Sequence, residues 1–187
     1  MKKRILEAAV KEIELHGAAF RMDDLAKRLN ISKRTLYENF YSKNEIIEKI
    51  VIERAHEYHR LHSEILNDAT LSFEEKIRKC FTIKLDEDNT IRSDQYRVMF
   101  TAIPSLIEQI ERVMEEDWSE LRAFLEKEIE LGTCRPINVD TLVMMMQSIV
   151  RTVFRDGKRG PDECFVLFKD IVDIVLYGIL SKEANNE

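Results

Sequence analysis

The chain is poor in the residues that build turns, with five Gly and three Pro among 187 residues. That scarcity argues against short strands joined by tight turns and for long helices. Its three cysteines, Cys80, Cys134 and Cys164, are odd in number, far apart and without a CxxC pair. A disulfide framework is therefore excluded, and reduced thiols in a cytoplasmic protein are expected. Long apolar runs are also missing. The longest in the Met-rich segment is Leu142 to Met146, far short of the ~20 residues that span a bilayer. The basic opening, Lys2 to Arg4, resembles the start of a signal peptide, but Glu7, Lys11 and Glu12 break the apolar stretch that one needs. Enzyme signatures are wanting as well. Gly157-Lys158-Arg159-Gly160 lacks the spacing of a phosphate-binding loop, and no GxSxG, GxGxxG or HExxH occurs. The acidic run Glu115-Glu116-Asp117 reads as the solvated face of a charged helix. No enzyme, cofactor or metal site is expected.

What the chain does have is unevenly distributed. Apolar residues at 44% and charged residues at 34% describe a globular protein of net charge −6. Residues 1–50 hold eleven Lys/Arg against eight Asp/Glu, a net of +3, so the remaining 18 against 27 give −9. A locally basic head on an acidic body suits a polyanionic partner met in one orientation.

That head contains RMDDLAKRLNISKRTLYENFYSK, residues 21–43. Leu25, Ala26 and Leu29 form an apolar seam at one-turn spacing. Asn30-Ile31-Ser32 interrupts it, with Ile31 expected as a buried anchor and Ser32 as the cap of a second short helix from Lys33 to about Tyr41. Leu36 and Phe40, four residues apart, face inward with Phe20. Lys33, Arg34, Thr35, Tyr37 and Asn39 remain on the outer circumference, where cations, hydroxyls and an amide suit phosphates and base edges. Lys43 opposes the dipole of the helix that it opens, which points to a phosphate.

Ile5 and Ala8-Ala9, then Gly17, then LAKRLNISKRTLYENFYSKNEII resemble the DNA-binding region of the TetR family of transcriptional regulators. The likeness covers about the first quarter of the chain and is densest at Ser32, Thr35-Leu36-Tyr37, Phe40 and Ser42-Lys43 with Glu45. One position departs: the family usually carries Thr or Ser near Met22, where a hydroxyl caps the helix and touches a phosphate. Here either Asp23 takes the cap or that contact is absent.

Further along, Lys2–His16 forms a first helix stopped by Gly17. Ser42 and Glu45 suggest a capping box opening a long helix through Ile65, with the domain boundary placed at residues 48 and 49. Ser72 and Glu75 form another box. Asp86 to Asn89 ends that helix, and a short apolar segment runs from Gln95 to Ile103. Pro104 starts a helix that Gly132 stops. Asp140 opens another, broken at Asp156–Gly160, and Pro161–Leu180 is the last, followed by a polar tail from Ala184. The expected fold is all-α, about nine helices, with a helix-turn-helix head at 1–48 and a regulatory and dimerisation body at 49–187.

The last two helices are apolar on more than one side, which fits either a central position or burial by a second copy. The resemblance implies the latter, a homodimer through these helices with Gly178 permitting close approach. It also implies double-stranded DNA as partner, a pseudo-palindromic operator, and a small-molecule effector lodged near Tyr58, His62, Phe81, Met99, Phe100, Trp118, Leu121 and Met145. His56, His59 and His62 share one helix but span about 120° of its surface, poor for a single ion; polar exposure or a pocket wall is the expectation. The reading is a DNA-binding regulator, of a kind that most often represses. A helical scaffold whose head meets protein, or a DNA binder without an effector, remains open.

Overall fold

A computed structural model describes residues 1–83, 93–156 and 161–178. Among these the chain forms nine α-helices and no strand: α1 (Lys2–His16), α2 (Met22–Leu29), α3 (Lys33–Asn39), α4 (Lys43–Asn67), α5 (Phe73–Phe81), α6 (Ser93–Ala102), α7 (Ser105–Glu130), α8 (Val139–Asp156) and α9 (Pro161–Tyr177). A single 3-10 turn, Gly17–Ala19, follows α1. The helix end expected at Asp86–Asn89, the break at 157–160, positions 179–180 and the polar tail lie outside the described residues.

Local chemistry explains where most helices start and stop. Gly17 takes φ 58, a left-handed value, and returns its N–H to Ile13 O to close α1. Asn30 does the same for α2 at φ 53. Its N–H reaches Lys27 O while the Ile31 N–H reaches Ala26 O, both at 3.0 Å, a reciprocal closure that satisfies two free carbonyls and lets the chain reverse at once into α3. Ser32 caps α3 and Ser72 caps α5, each hydroxyl accepting the N–H three residues on. At Ser72 the box is complete, since Glu75 answers back. At Ser42 it is not: Glu45 Oε2 accepts from the Tyr41 N–H at 2.6 Å, one residue earlier than expected. Arg21 precedes α2 with no side-chain cap, so the hydroxyl absent at Met22 has no substitute there. Asn138 Oδ1 accepts the Thr141 N–H at 2.8 Å, so α8 begins at Val139 and not at Asp140.

Two apolar clusters organise the molecule. The first gathers Ile5, Ala9, Ile13, Phe20, Leu25, Leu36, Phe40, Ile46, Ile47, Ile50 and Val51, then continues into the body through Met99, Ile103 and Leu106. The helix-turn-helix core is therefore continuous with α6 and the start of α7. Ile31 is only partly buried against it, so the turn is anchored by Leu25, Leu36 and Phe40 instead. The second cluster joins Leu66, Ile77, Cys80, Trp118, Leu121, Phe124, Leu125, Val143, Met146, Val150 and Val172 across α4, α5, α7, α8 and α9.

With 25 residues at 1.5 Å rise, α4 is about 37 Å long. It starts beside α3, packs along α7 and ends at the second cluster. A second link joins head and body: the amide nitrogen of Gln95 on α6 donates to Ile13 O at 2.8 Å and Glu14 O at 3.3 Å, in the last turn of α1.

Gly178 has φ 72 and a 2.8 Å hydrogen bond from its N–H to Ile174 O, ending α9 at Tyr177. A Cβ there would meet nothing within 4 Å in this protomer. Within the chain its role is to stop a helix.

Candidate nucleic-acid interface

α3 is seven residues long, too short to persist alone. It is held by Leu36, fully buried, and by Phe40 just past its end, while the remaining side chains stay outside or half outside. All six residues expected to meet DNA fall on α3 or at the start of α4, and most are already engaged within the protomer. Lys33 Nζ lies 2.6 Å from Asp23 Oδ2. The hydrogen bond to Asp23, then its charge, raises the Lys33 ammonium above its ordinary value, so it stays fully charged. Asp23, the possible substitute cap for α2, is committed to this pair. Arg34 Nε donates to Glu38 Oε1 at 2.9 Å, with the arginine side chain 88% exposed. The hydroxyls of Thr35 and Ser32 are 2.9 Å apart, and Asn39 Nδ2 donates to Thr35 O at 2.8 Å. Tyr37 is about half exposed.

Lys43 is the most constrained. Its ammonium donates to Ala18 O at 2.8 Å and sits 5.6 Å from the centre of the Phe20 ring. This cation therefore ties α4 to the turn after α1, a packing role that its position at a helix start did not announce. The exposed pairs on α3 contribute little to stability, so exchanging Asp23 or Glu38 for a phosphate is easy. Tyr41, 87% exposed directly beyond α3, is a further aromatic hydroxyl at this edge, hidden from sequence reasoning because the helix was expected to extend through it.

Among the described residues the head holds one buried charge. Glu12, 3% exposed, accepts from Arg28 Nε at 2.5 Å, joining α1 to α2, and its other oxygen has no hydrogen-bond partner. His16 Nε2 stands 3.7 Å from that second oxygen.

The residues expected to wall an effector pocket are not brought together as one group. Met99 and Phe100 belong to the head-side cluster, and Met145 is 50% exposed on α8. That outward face is a consequence of α8 turning Val143, Met146 and Val150 inward instead. Tyr58, His62, Phe81, Trp118 and Leu121 do share the α4, α5 and α7 region. The Tyr58 and His62 rings are 6.3 Å apart and those of Phe81 and Trp118 6.5 Å apart. Burial pushes the Tyr58 hydroxyl up to about 12.

Of the three histidines on α4, His59 and His62 converge on Asp117 of α7, which is half-buried and not part of a solvated face. Among the described residues no group of three or more His, Cys, Asp or Glu is arranged to hold a metal ion. No described helix is long and apolar enough to cross a membrane.

Residues 5–50 match the family model of bacterial regulatory proteins, tetR family. Two curated relatives from Bacillus subtilis (strain 168) are similar along most of their length. The uncharacterized HTH-type transcriptional regulator YvaF is 27% identical over 195 residues, covering 98% of this chain and 97% of its own. The uncharacterized HTH-type transcriptional regulator YhgD is 26% identical over 168 residues, covering 86% of each. Among solved structures, the TetR-family regulator PfmR from Thermus thermophilus shares the fold at a TM-score of 0.67 and 23% identity, covering 95% of this chain and all of that one. The regulator FadR from Bacillus subtilis, solved in complex with stearoyl-CoA, shares it at a TM-score of 0.63 and 17% identity, covering 96% of this chain and all of that one. With a matching helix-turn-helix head, relatives that match from end to end and a shared helical fold, the chain resembles the TetR family of transcriptional regulators along its length.

Proposed function

We propose that this regulator is a ligand-responsive repressor that binds a pseudo-palindromic operator as a homodimer, with a head at residues 1–48 and a body at 49–187. The observation that carries the reading is α3 itself: a short helix pinned by Leu36 and Phe40, with Lys33, Arg34, Thr35, Tyr37 and Asn39 turned outward or half outward. In this reading Lys33 and Arg34 leave Asp23 and Glu38 for phosphates or base edges, Thr35 and Asn39 supply hydrogen bonds, and the Tyr37 hydroxyl reaches the backbone. Lys43 contacts a phosphate by releasing Ala18 O.

Dimerisation is assigned to α8 and α9. Met144, Met145, Val166, Ile174 and Tyr177 are all half exposed or more on these two helices, an apolar surface of the kind that a second copy covers. Two heads related by a two-fold axis meet half-sites about one helical turn, ~34–36 Å, or somewhat more apart. The effector is assigned to the neighbourhood of Tyr58, His62, Phe81, Trp118 and Leu121, where aromatic and aliphatic walls favour a mostly apolar ligand; the acyl-CoA held by the FadR neighbour makes acyl chains the first class to try. Binding there shifts α4, alters head spacing and lowers operator affinity by population shift.

The test is selection of DNA from a random-sequence library by the purified protein, followed by a salt-dependent mobility shift. An enriched palindrome whose affinity falls steeply with salt is expected, and recovery of no sequence motif contradicts the reading. A thermal-shift screen with fatty acids, acyl-CoAs and hydrophobic cations then reads the effector: stabilisation by one class, accompanied by loss of DNA binding, is expected.

A further inference from the structure

We propose that Asp117 holds the His62 ring as an imidazolium, clasping α4 to α5 and α7, and that loss of this proton weakens DNA binding. The second half rests on the α4 coupling proposed above.

The argument is one of donors and acceptors. His62 Nδ1 is 2.5 Å from Asp117 Oδ2, and its Nε2 is 2.8 Å from the carbonyl oxygen of Cys80. A carboxylate and a peptide carbonyl only accept. A neutral imidazole has a single N–H. If that proton is on Nδ1, the bare Nε2 lone pair faces a carbonyl at 2.8 Å. If it is on Nε2, the bare Nδ1 faces a carboxylate at 2.5 Å. Only the doubly protonated ring donates to both.

The surroundings agree. His59 Nδ1 lies 3.0 Å from the other Asp117 oxygen, so Asp117 accepts from two rings. Burial pushes the Asp117 carboxyl up, but hydrogen bonds and charge from His62, then His59, outweigh it and hold the group below its ordinary range. Asp117 is therefore the carboxylate that the two ring nitrogens face. His62 and Asp117 side chains are 23% and 16% exposed, so water replaces neither partner freely. The titratable and charged groups nearest this site are Tyr58 and His59 on α4, Cys80 and Lys76 on α5 and Glu120 on α7, while Arg112, Glu115 and Glu116 line a groove on the His59 side. Burial raises the Cys80 thiol to about 12, so it stays neutral. Lys76 is drawn away to Leu66 O at 2.8 Å.

When the imidazolium releases a proton to solvent, one of its two hydrogen bonds must go. α4 then loses one of its polar ties to α5 or α7, and the position of the head at its other end is fixed less firmly. Heads held at a set spacing bind DNA without first being ordered, and heads on a loosened α4 do not. Asp117 and His62 are thus positioning residues for α3, acting through α4.

The test uses the full-length protein, a duplex selected from a random library and the variants H62Q and D117N. Nitrogen-15 spectra of the histidine rings at about pH 7.5, where free histidine is mostly neutral, should show both His62 nitrogens protonated in the parent, and this signature should vanish in D117N. Between about pH 6 and about pH 8.5, the affinity of the parent should fall by ~5-fold or more beyond the fall seen in either variant, the lower end of coupling between sites. A neutral His62 at about pH 7.5 overturns the clasp even if neither variant folds. Parent and variant pH profiles that superimpose, or a parent affinity that rises, overturn the coupling. A doubly protonated His62 in a protein that retains no duplex at any pH overturns the DNA-binding reading, and the coupling with it, while the ring assignment stands.

Discussion

In the head, the apolar side chains of four helices meet in one small core and the charges of α3 face outward; Glu12 is the single buried exception among the described residues. In the body, the arrangement is partly inverted. Met144, Met145, Val166 and Ile174 face outward, while Asp117, His59 and His62 are drawn between helices. The head is built to be rigid and to present a surface, so its polar groups need no special partners inside. The body joins five helices through polar contacts as well as apolar ones, and polar contacts can be made or broken by a proton or a ligand. Rigidity sits in the head, where DNA is proposed to be read, and adjustability in the body, where the effector is proposed to bind. α4 belongs to both.

The comparison breaks most visibly if the head core is emptied. Leu36→Ala removes a fully buried side chain that holds α3 and should cost ~2–5 kcal/mol in denaturant unfolding, with DNA binding lost alongside. A much smaller loss would mean that α3 is not fixed by that core.

In the body, Asp117→Asn should cost ~2 kcal/mol, since the amide can accept from only one of the two histidines and turns a donor toward the other in a half-buried site. The acid limb sharpens this. Asp117 titrates below its ordinary value of 3.8, so its stabilisation is present above that value and is lost as pH falls through the lower folded one. Parent and variant unfolding curves should therefore differ at neutral pH and converge in acid.

At the outward apolar face, Ile174→Asp with Met145→Asp places charge on the surface assigned to the second copy. Sedimentation should show monomers with helix content retained. A variant that stays dimeric would move the interface elsewhere. The smallest effect is expected at Ser72→Ala, which removes the complete capping box of α5 and should lower Tm by about 2–4 °C without changing DNA affinity.

Much of this architecture could be read from the chain because its causes are local. Leu25, Leu36 and Phe40 declare a buried seam at one-turn spacing, Ser32 and Ser72 sit three residues before the N–H groups that they cap, and Gly132 marks the end of α7 by the left-handed φ 75 that it adopts. What could not be read depends on partners far along the chain. Asp117 looks like one more acid in a charged run, yet its partners lie 55 and 58 residues earlier. Glu12 looks solvated until Arg28, 16 residues on, folds over it. The pocket residues fall in both apolar clusters and on an outward face for a related reason. Helical periodicity places Met145 on an apolar-rich helix but cannot say which side faces the core when several sides are apolar.

The central claim is that the outer face of α3 reads DNA, once per head. Fluorescence anisotropy of the selected duplex across a salt titration, parent against Arg34→Ala, tests it most directly. Arg34 is exposed and tied to Glu38 on its own helix, so its removal should leave folding intact, weaken binding and lower the salt slope by about one per head. Superimposable titration curves for the two proteins would contradict the account.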